Sequence, residues 1–385
     1  MSERTPRLHW YLPTAGESRD TLRGGTNVHT VDGAAPRTPF RAPSLSYLTQ
    51  VALAVEDAGF SSVLVPTGSY CEDPWVVASA LAPLTRDLGL LVAQHPRTAT
   101  PAVTAHRAAS LQRISGGRLA LNVVTGEPGL EAWRHGDFGD KAEQYARTDE
   151  FLDIYGRLFR GEKVEHEGAH YHVREAFLDT VRGADVPERP EVWFGGSSSY
   201  AGDVAGRHVD VYLSWLEPLQ QLAEKVEWIR SLAAAHGRSV RFGVRSWILV
   251  RDTHEDAERD ALALLDGLDQ ATQAAFRERL LSRQSEGQQR GQRLLVEADV
   301  RRPDTLWVAP GIWGGFGLVA GGPALGLVGS YDDVAQRIAE LHRIGIDEFI
   351  VSGFPNLEET RWVADGLPAS VHRATASAST PVPVG

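Results

Sequence analysis

Residues 88–126 read LGLLVAQHPRTATPAVTAHRAASLQRISGGRLALNVVTG. Leu88–Gln94 is a short apolar run without alternation, which predicts a strand buried on both faces. Pro101–Ile114 carries proline in its first turn and is followed by Gly116-Gly117, the start and stop signals of a helix. Arg118–Gly126 then returns to an apolar run that ends in a glycine turn. Strand, helix and strand in so short a stretch make one βαβ unit, whose two strands run parallel.

The same rhythm extends in both directions. Towards the start lie LHWYL (Leu8–Leu12) and SSVLVP (Ser61–Pro66) as strands, with a helix between them over Ser44–Ala58 and a shorter one over Pro74–Leu81. In the first helix Leu45, Leu48, Val51, Ala52 and Val55 recur at spacings of three and four, and Gly59 closes it. Towards the end VWFGG (Val192–Gly196), VDVYLSW (Val209–Trp215), VRFGVRSWILV (Val240–Val250) and EFIVSG (Glu348–Gly353) read as strands. Helical runs cover Glu143–Phe159, Tyr200–Gly206, Pro218–His236, His254–Leu265 and Tyr331–Arg343. Eight strand-like runs, most followed by a helix, predict an α/β fold, a (β/α)8 TIM barrel. A doubly wound open sheet would need a glycine-rich phosphate turn after the first strand, and PTAGES (Pro13–Ser18) is not one.

Two segments interrupt the pattern. KVEHEGAHYHV (Lys163–Val173) alternates about Gly168 and predicts an inserted hairpin. Residues 268–327 are rich in Gln, Arg and Glu in their middle and end rich in Gly, which predicts a long lid or loop insertion. The expectation is one barrel domain over 1–370 and a disordered tail over 371–385.

The chain has 385 residues, 42% of them apolar and 23% charged, which excludes disorder as its general state. Its formal charge is −11, so a general attraction to nucleic-acid phosphates is not expected. With the single cysteine Cys71 it can form neither an intramolecular disulfide nor a cysteine metal cage. MSERTPRLHWYLP at the start has no signal-peptide core, and no run reaches the ~18–20 apolar residues of a membrane span. The simplest expectation is a cytoplasmic protein acting on a small molecule, with neither membrane nor metal.

In a barrel the chemistry sits at the carboxyl ends of the strands. FGGSSS (Phe194–Ser199) is either an anion cradle, with two glycines and free N–H groups at a helix start, or a tight turn with a serine cap. NVVTG (Asn122–Gly126) offers two polar side chains to a planar heterocycle, or is a turn with a threonine cap. Cys71 is a nucleophile or a buried inert thiol, and no base is recognisable beside it. His166, His170 and His172 fit exposed strand positions better than metal ligation. Arg245 lies inside an apolar strand, where it needs an anion or a structural carboxylate.

These strand ends resemble the bacterial luciferase-like flavin-dependent monooxygenases, most closely the FMNH2-dependent alkanesulfonate monooxygenases. The matching stretches are WYLPTAGE (Trp10–Glu17), LVPTGSYCEDPW (Leu64–Trp75), RISGGRLALNVVTG (Arg113–Gly126), EQYARTDEF (Glu143–Phe151), WFGGSSSYA (Trp193–Ala201), VDVYLSWLEP (Val209–Pro218), HGRSVRFGVRSWILVRDT (His236–Thr253), GQQR (Gly287–Arg290), GLVAGG (Gly317–Gly322) and SGFPNLEE (Ser352–Glu359). They are collinear over nearly the whole chain and weakest in the first 45 residues, where extra sequence surrounds Gly24–Pro43. The resemblance implies a two-component enzyme. A separate NAD(P)H-dependent flavin reductase supplies FMNH2, and the barrel captures O2 as a flavin peroxide that oxygenates the substrate; with sulfonates a C–S bond is cleaved. It also implies a homo-oligomer, a dimer or tetramer. Residue by residue it implies flavin contacts from Asn122, Thr125, Tyr145, Gly196, Ser197 and Ser198, with Ala93 near the ring, and it places Cys71, Trp215 and Arg245 facing the reaction chamber.

The departures fall in the substrate pocket. Ala15 and Trp247 stand where the sulfonate enzymes have His, Ala320 where they have a lid Arg, and Phe354 where they have Tyr. A lost charge-assisted clamp removes about 1.5–3 kcal/mol of anion affinity. The expectation is a more apolar or aromatic substrate than a short alkanesulfonate. His95, at the end of the third strand, is then the histidine best placed to serve as acid or base, unless it is a solvated loop residue. The rival readings are C- or N-oxygenation in secondary metabolism, a deazaflavin-dependent dehydrogenase of the same superfamily, and a flavin-binding barrel without catalysis.

Overall fold

The computed structural model describes residues 5–18, 40–178, 188–268, 273–274, 277–278, 281 and 285–378. Most of the extra sequence around Gly24–Pro43, most of 269–284 and the end of the tail lie outside the described residues.

Eight parallel strands form the frame: β1 (Arg7–Tyr11), β2 (Ser62–Val65), β3 (Gly89–Gln94), β4 (Leu119–Val123), β5 (Glu191–Gly195), β6 (Val211–Trp215), β7 (Arg241–Arg251) and β8 (Ile346–Ser352). They are hydrogen-bonded in the order β6-β5-β4-β3-β2-β1-β8-β7, and pairing of β6 with β7 closes the ring. The protein is a (β/α)8 barrel built from the eight strands expected from the sequence. Burial follows from the apolar runs: β2 is buried throughout, and ten of the eleven residues of β7 are buried.

Two compact units make up the chain, one of residues 1–61, 214–226 and 241–385, the other of residues 62–213 and 227–240. In the second unit the strand register puts Ala93 beside Asn122 and Asn122 beside Trp193. Helices begin where the sequence supplies caps. Thr100 accepts from the Val103 N–H with Pro101 in the first turn, and Ser198 accepts from the Ala201 N–H. Asp140 and Glu143 form a capping box at the start of Lys141–Phe159. The inserted hairpin is present as Val164–Glu167 and His172–Ala176. Glu150 holds it, accepting from the backbone N–H groups of His170 and Tyr171 and bonding His166 Nε2 at 2.9 Å, so His166 is a structural partner there.

In the first unit the amino-terminal end of the strands is tied by the fully buried Glu348. It accepts from Arg7 Nε at 3.0 Å and Arg241 Nη1 at 2.6 Å, and bonds His9 Nε2 at 2.9 Å. β8 pairs with β7 as far as Trp247. From Trp247 onward a further parallel strand, Gly326–Ser330, takes over, with the antiparallel strands Ile312–Trp313 and Trp307–Ala309 beyond it. The expected lid therefore ends sooner than 327, because residues 326 and 327 are already strand. The final helix Asn356–Ala378 runs past the expected domain end at 370, with Val371 buried, and so replaces most of the expected tail; residues 379–385 lie outside the described ones. Among the described residues no helix is long and apolar enough to cross a membrane.

Candidate active site

At the carboxyl ends of β3, β4 and β5 the second unit gathers most of the expected cofactor residues. Gly196 is required by packing: a Cβ there would lie 2.6 Å from Ala201 Cβ and 2.8 Å from Tyr145 Oη. Its carbonyl accepts from Tyr212 Oη. Ser198 is the buried N-cap of helix Ser199–His208, so the serine-cap reading of FGGSSS is correct. The anion-cradle reading is compatible with it, since the glycine turn still points at a ten-residue helix N-terminus. Tyr145 is buried between Phe194, edge-on at 6.4 Å, and Tyr200, stacked at 6.0 Å.

Asn122 is buried, and its amide makes no side-chain hydrogen bond among the described residues. Thr125 bonds Thr148 Oγ1 at 2.9 Å. The single hydroxyl proton of Thr148 goes to the Gln144 carbonyl, also at 2.9 Å. Thr125 must therefore donate to Thr148, and it faces any ligand with lone pairs alone.

His95 is not a solvated loop residue. It is 4% exposed, and its Nδ1 lies 2.6 Å from the Val124 carbonyl. Burial first, and the neighbouring Arg97 second, push its pKa down to about 4. This corrects the expectation of an acid or base that titrates near neutral pH. A stability test follows. Unfolded histidine titrates near 6.5 and the native group near 4, so between these values the unfolded state binds more protons and stability must rise with pH. The difference is on the order of 2–3 kcal/mol. Urea unfolding of His95→Gln is expected to lose about that much of the rise between pH 4 and 6.5. A residual slope remains, because burial lowers the pKa of His9 as well.

Cys71 is half-buried in the loop after β2, and its Sγ–H points at the carbonyls of Gly68 at 3.6 Å and Pro66 at 3.8 Å. Ser69, two residues before it, is held by Glu131, which accepts from the Ser69 N–H at 2.7 Å and from Ser69 Oγ at 2.8 Å.

The first unit holds two of the three expected chamber residues, Trp215 at the end of β6 and Arg245 within β7, while Cys71 belongs to the second unit. Arg245 is buried without a carboxylate among the described residues. Its Nη2 donates to Ser352 Oγ at 2.7 Å and its Nη1 to the Ser246 carbonyl. Its Cζ stands 4.6 Å from the Tyr11 ring centre and 5.0 Å from that of Trp247. Burial lowers its pKa to about 10, so it stays cationic at neutral pH. The structural ion-pair reading of Arg245 is thereby overturned.

Trp247 is fully buried, stacked on Phe354 at 4.8 Å and Phe316 at 5.5 Å, with its indole N–H on the Pro323 carbonyl at 2.9 Å. Ala320 and Phe354 are also buried, while Ala15 is half-buried. Where the sulfonate pattern has polar groups, three of the four replacements are thus buried, and two of them, Trp247 and Phe354, stack in an aromatic wall. Trp215 is half-buried, and the backbone of Gly287 lies on its ring, leaving 3.0 Å between a Gly287 Cβ and Trp215 Cε3. Arg290 Nη2, from the same GQQR stretch, donates to the buried Glu217 at 3.1 Å. Sequence reasoning missed Arg97, Thr148, Tyr11, Ser352 and Phe316. Arg97, three residues past a strand end, and Tyr11 and Ser352, the last residues of β1 and β8, carry a positional signal that could have found them.

The profile of the family described as luciferase-like monooxygenase matches residues 22–348. Among solved structures the fold is similar to EDTA monooxygenase (EmoA) from Chelativorans sp. BNC1, with a TM-score of 0.73 and 18% identity over 97% of this chain and 95% of that one. It is similar to riboflavin lyase (RcaE), solved with modified FMN and riboflavin, at a TM-score of 0.72 and 21% identity over 99% and 94%. A coenzyme F420-dependent tetrahydromethanopterin reductase from Methanopyrus kandleri aligns at a TM-score of 0.63 and 15% identity over 95% and 99%. Identities this low speak for the fold alone. The family profile spans most of the barrel, including the strand ends that carry Ala93, Asn122, Thr125, Gly196, Trp215 and Arg245, and on that ground the chain belongs to the luciferase-like monooxygenase family.

Proposed function

We propose that the protein is the oxygenating component of a two-component system, an FMNH2- and O2-dependent monooxygenase of a small organic substrate. A single catalytic domain would be fed by an NAD(P)H-dependent flavin reductase, and the assembly would be a homo-oligomer. The observation that carries the reading is the cradle at Gly196: a glycine that nothing larger can replace, before a capped helix N-terminus, beside Tyr145. Together with the unpartnered Asn122 amide and the accepting Thr125, these residues fit a phosphorylated flavin. Ser197 and Ser198 would hold the phosphate, and Ala93, Asn122 and Thr125 the ring.

When bound, FMNH2 supplies the electrons for oxygen activation. The protein's own part is positioning, exclusion of water and electrostatics. In the first unit the buried Arg245 supplies an uncompensated positive charge for an anionic oxygen, Trp215 and Ser352 flank the strand ends, and the Trp247–Phe354–Phe316 wall favours an apolar or aromatic substrate body. Cys71 is proposed as a further catalytic residue, carried by its loop in the second unit. An organosulfur compound cleaved at its C–S bond is the narrower form of the proposal.

The test is stopped-flow mixing of the anaerobic FMNH2–protein mixture with aerated buffer. Reoxidation slower than that of free FMNH2, hastened by a substrate that appears oxygenated, is the expected result. Reoxidation at the free rate would overturn the reading, and turnover with a reduced deazaflavin without O2 would replace it. Across a panel of sulfonates, sulfones and apolar heterocycles, kcat/KM is expected to be lowest for short alkanesulfonates. The highest values on those would overturn the substrate assignment, and sulfite release would mark C–S cleavage.

A further inference from the structure

His95 sits beside the proposed ring site in a single fixed tautomer. A carbonyl oxygen only accepts, so the 2.6 Å contact with Val124 puts the proton on Nδ1 and leaves a lone pair on Nε2. The loop carrying it is tied from several directions. Gln94 Nε2 and Thr98 Oγ1 donate to the His95 carbonyl at 2.6 and 2.9 Å, and Tyr171 of the inserted hairpin donates to the Pro96 carbonyl at 2.7 Å.

Arg97 stands behind it. Its side chain is 2% exposed, its Nη2 donates to the Thr125 carbonyl at 2.6 Å, and its Nη1 is 3.5 Å from Asp137 Oδ2. Its Nε and Nη1 have no hydrogen-bond partner among the described residues. Asp137 is shared with Arg147 at 2.8 Å, so the Arg97 charge is incompletely neutralised. The charged and titratable groups that face His95 are Arg97, His135, whose ring centre is 6.0 Å away, and Glu131. Glu131 alone favours a proton on His95, and its oxygens are already taken by Ser69.

Gly126 makes the room at this corner. A Cβ on it would fall 1.8 Å from Arg97 Nη2 and 3.4 Å from His95 Cε1. The strand end around Asn122 thus presents two acceptors of fixed polarity, Thr125 Oγ1 and His95 Nε2. A phosphate or sulfonate, with acceptors alone, is mismatched there, whereas a heterocycle edge bearing an N–H is matched.

We propose that His95 is a specificity-determining hydrogen-bond acceptor, taking the ring N–H of the bound flavin on Nε2, with Arg97 as a positioning residue behind the imidazole. This rests on the flavin reading above.

The test uses the full chain labelled with 15N-histidine, with His95→Gln assigning the resonance. In the free protein the His95 Nε2 signal is expected at the lone-pair position from pH 5 to 8; an imidazolium or an Nε2–H signal there would overturn the proposal. Oxidised FMN has one ring N–H, at N3, and is expected to shift that signal upfield, while N3-methyl-FMN leaves it in place. His95→Leu is expected to weaken FMN about three- to tenfold and N3-methyl-FMN hardly at all, the value of one neutral hydrogen bond. FMN that binds without moving the signal would overturn this inference and leave the flavin reading intact, whereas absence of any FMN or FMNH2 binding would overturn both. Arg97→Gln is expected to raise the His95 titration part of the way, burial being the larger cause of its low value, and Arg97→Lys to keep it low; a Gln variant titrating like the parent would remove Arg97 from its role.

Discussion

Arg245→Met is expected to lower kcat/KM by about 10²–10³ while leaving the protein at least as stable as its parent. The two halves of that result have one cause. A buried guanidinium needs a counter-anion, and Arg245 has two aromatic faces, a serine hydroxyl and a carbonyl instead. Removing a charge from a buried ion pair destabilises, because a partner is left alone; removing one that has no partner relieves desolvation. In the presence of its anion the same charge becomes a preorganised contact in a dry site, and deleting such a contact typically costs ~2.7–4 kcal/mol of transition-state stabilisation. Steady-state kinetics and urea unfolding on one preparation check both halves. A loss of several kcal/mol in unfolding free energy with kinetics intact would mark Arg245 as a structural cation. Comparing an anionic with a neutral substrate places the anion: a loss confined to the anionic one assigns Arg245 to the substrate, and an equal loss assigns it to the reacting oxygen. Arg245→Lys keeps the charge without the flat face and is expected to recover part of the activity.

The barrel was legible because parallel strands buried on both faces leave continuous apolar runs, and because Ser44, Thr100-Pro101 and Ser330 announce helices at their first residues. The strand Gly326–Ser330 was not. Its glycines look like loop, yet they are what the packing requires: a Cβ on Gly326 would stand 2.4 Å from the Phe316 ring and 3.0 Å from Trp247 Cβ, and Gly329 has φ +152°. The final helix was hidden in the same way by Gly366 and Pro368, which interrupt its apolar spacing.

At the site, residue type near a strand end singled out Asn122, Thr125 and Gly196 as candidates, and Arg245 stood out as a charge inside an apolar strand. What those residues can do depended on distant groups. The hydroxyl of Thr125 is aimed by Thr148, a residue of another element, and the protonation of His95 is set by burial and by Arg97. Trp247 read as a pocket wall, but its depth comes from Phe316, supplied by the insertion. Spacing along the chain holds none of this, since each depends on which elements the fold packs together.

Gly196→Ala carries the second large expected effect. One methyl group would have to share space with Ala201 Cβ at 2.6 Å and Tyr145 Oη at 2.8 Å, both closer than van der Waals contact allows. The tyrosine can yield by rotating, but Ala201 belongs to the first turn of the helix whose N-terminus the cradle uses, so relief must come from the turn itself. Overpacking of this kind costs about 1–3 kcal/mol, and a displaced turn misdirects the N–H groups offered to a phosphate. Affinity for FMN and FMNH2 is expected to fall by about two orders of magnitude, measured by fluorescence quenching and anaerobic titration. Unfolding in the absence of flavin is expected to change far less. The double variant Gly196→Ala, Ala201→Gly removes the methyl group that is struck and is expected to recover a large part of the binding. Riboflavin, which lacks the phosphate, separates the two ways the single variant could fail. If its weak binding is unchanged, the damage is at the phosphate cradle. If it falls as much as that of FMN, the residue acts on the ring, and the assignment of Gly196, Ser197 and Ser198 to the phosphate is wrong.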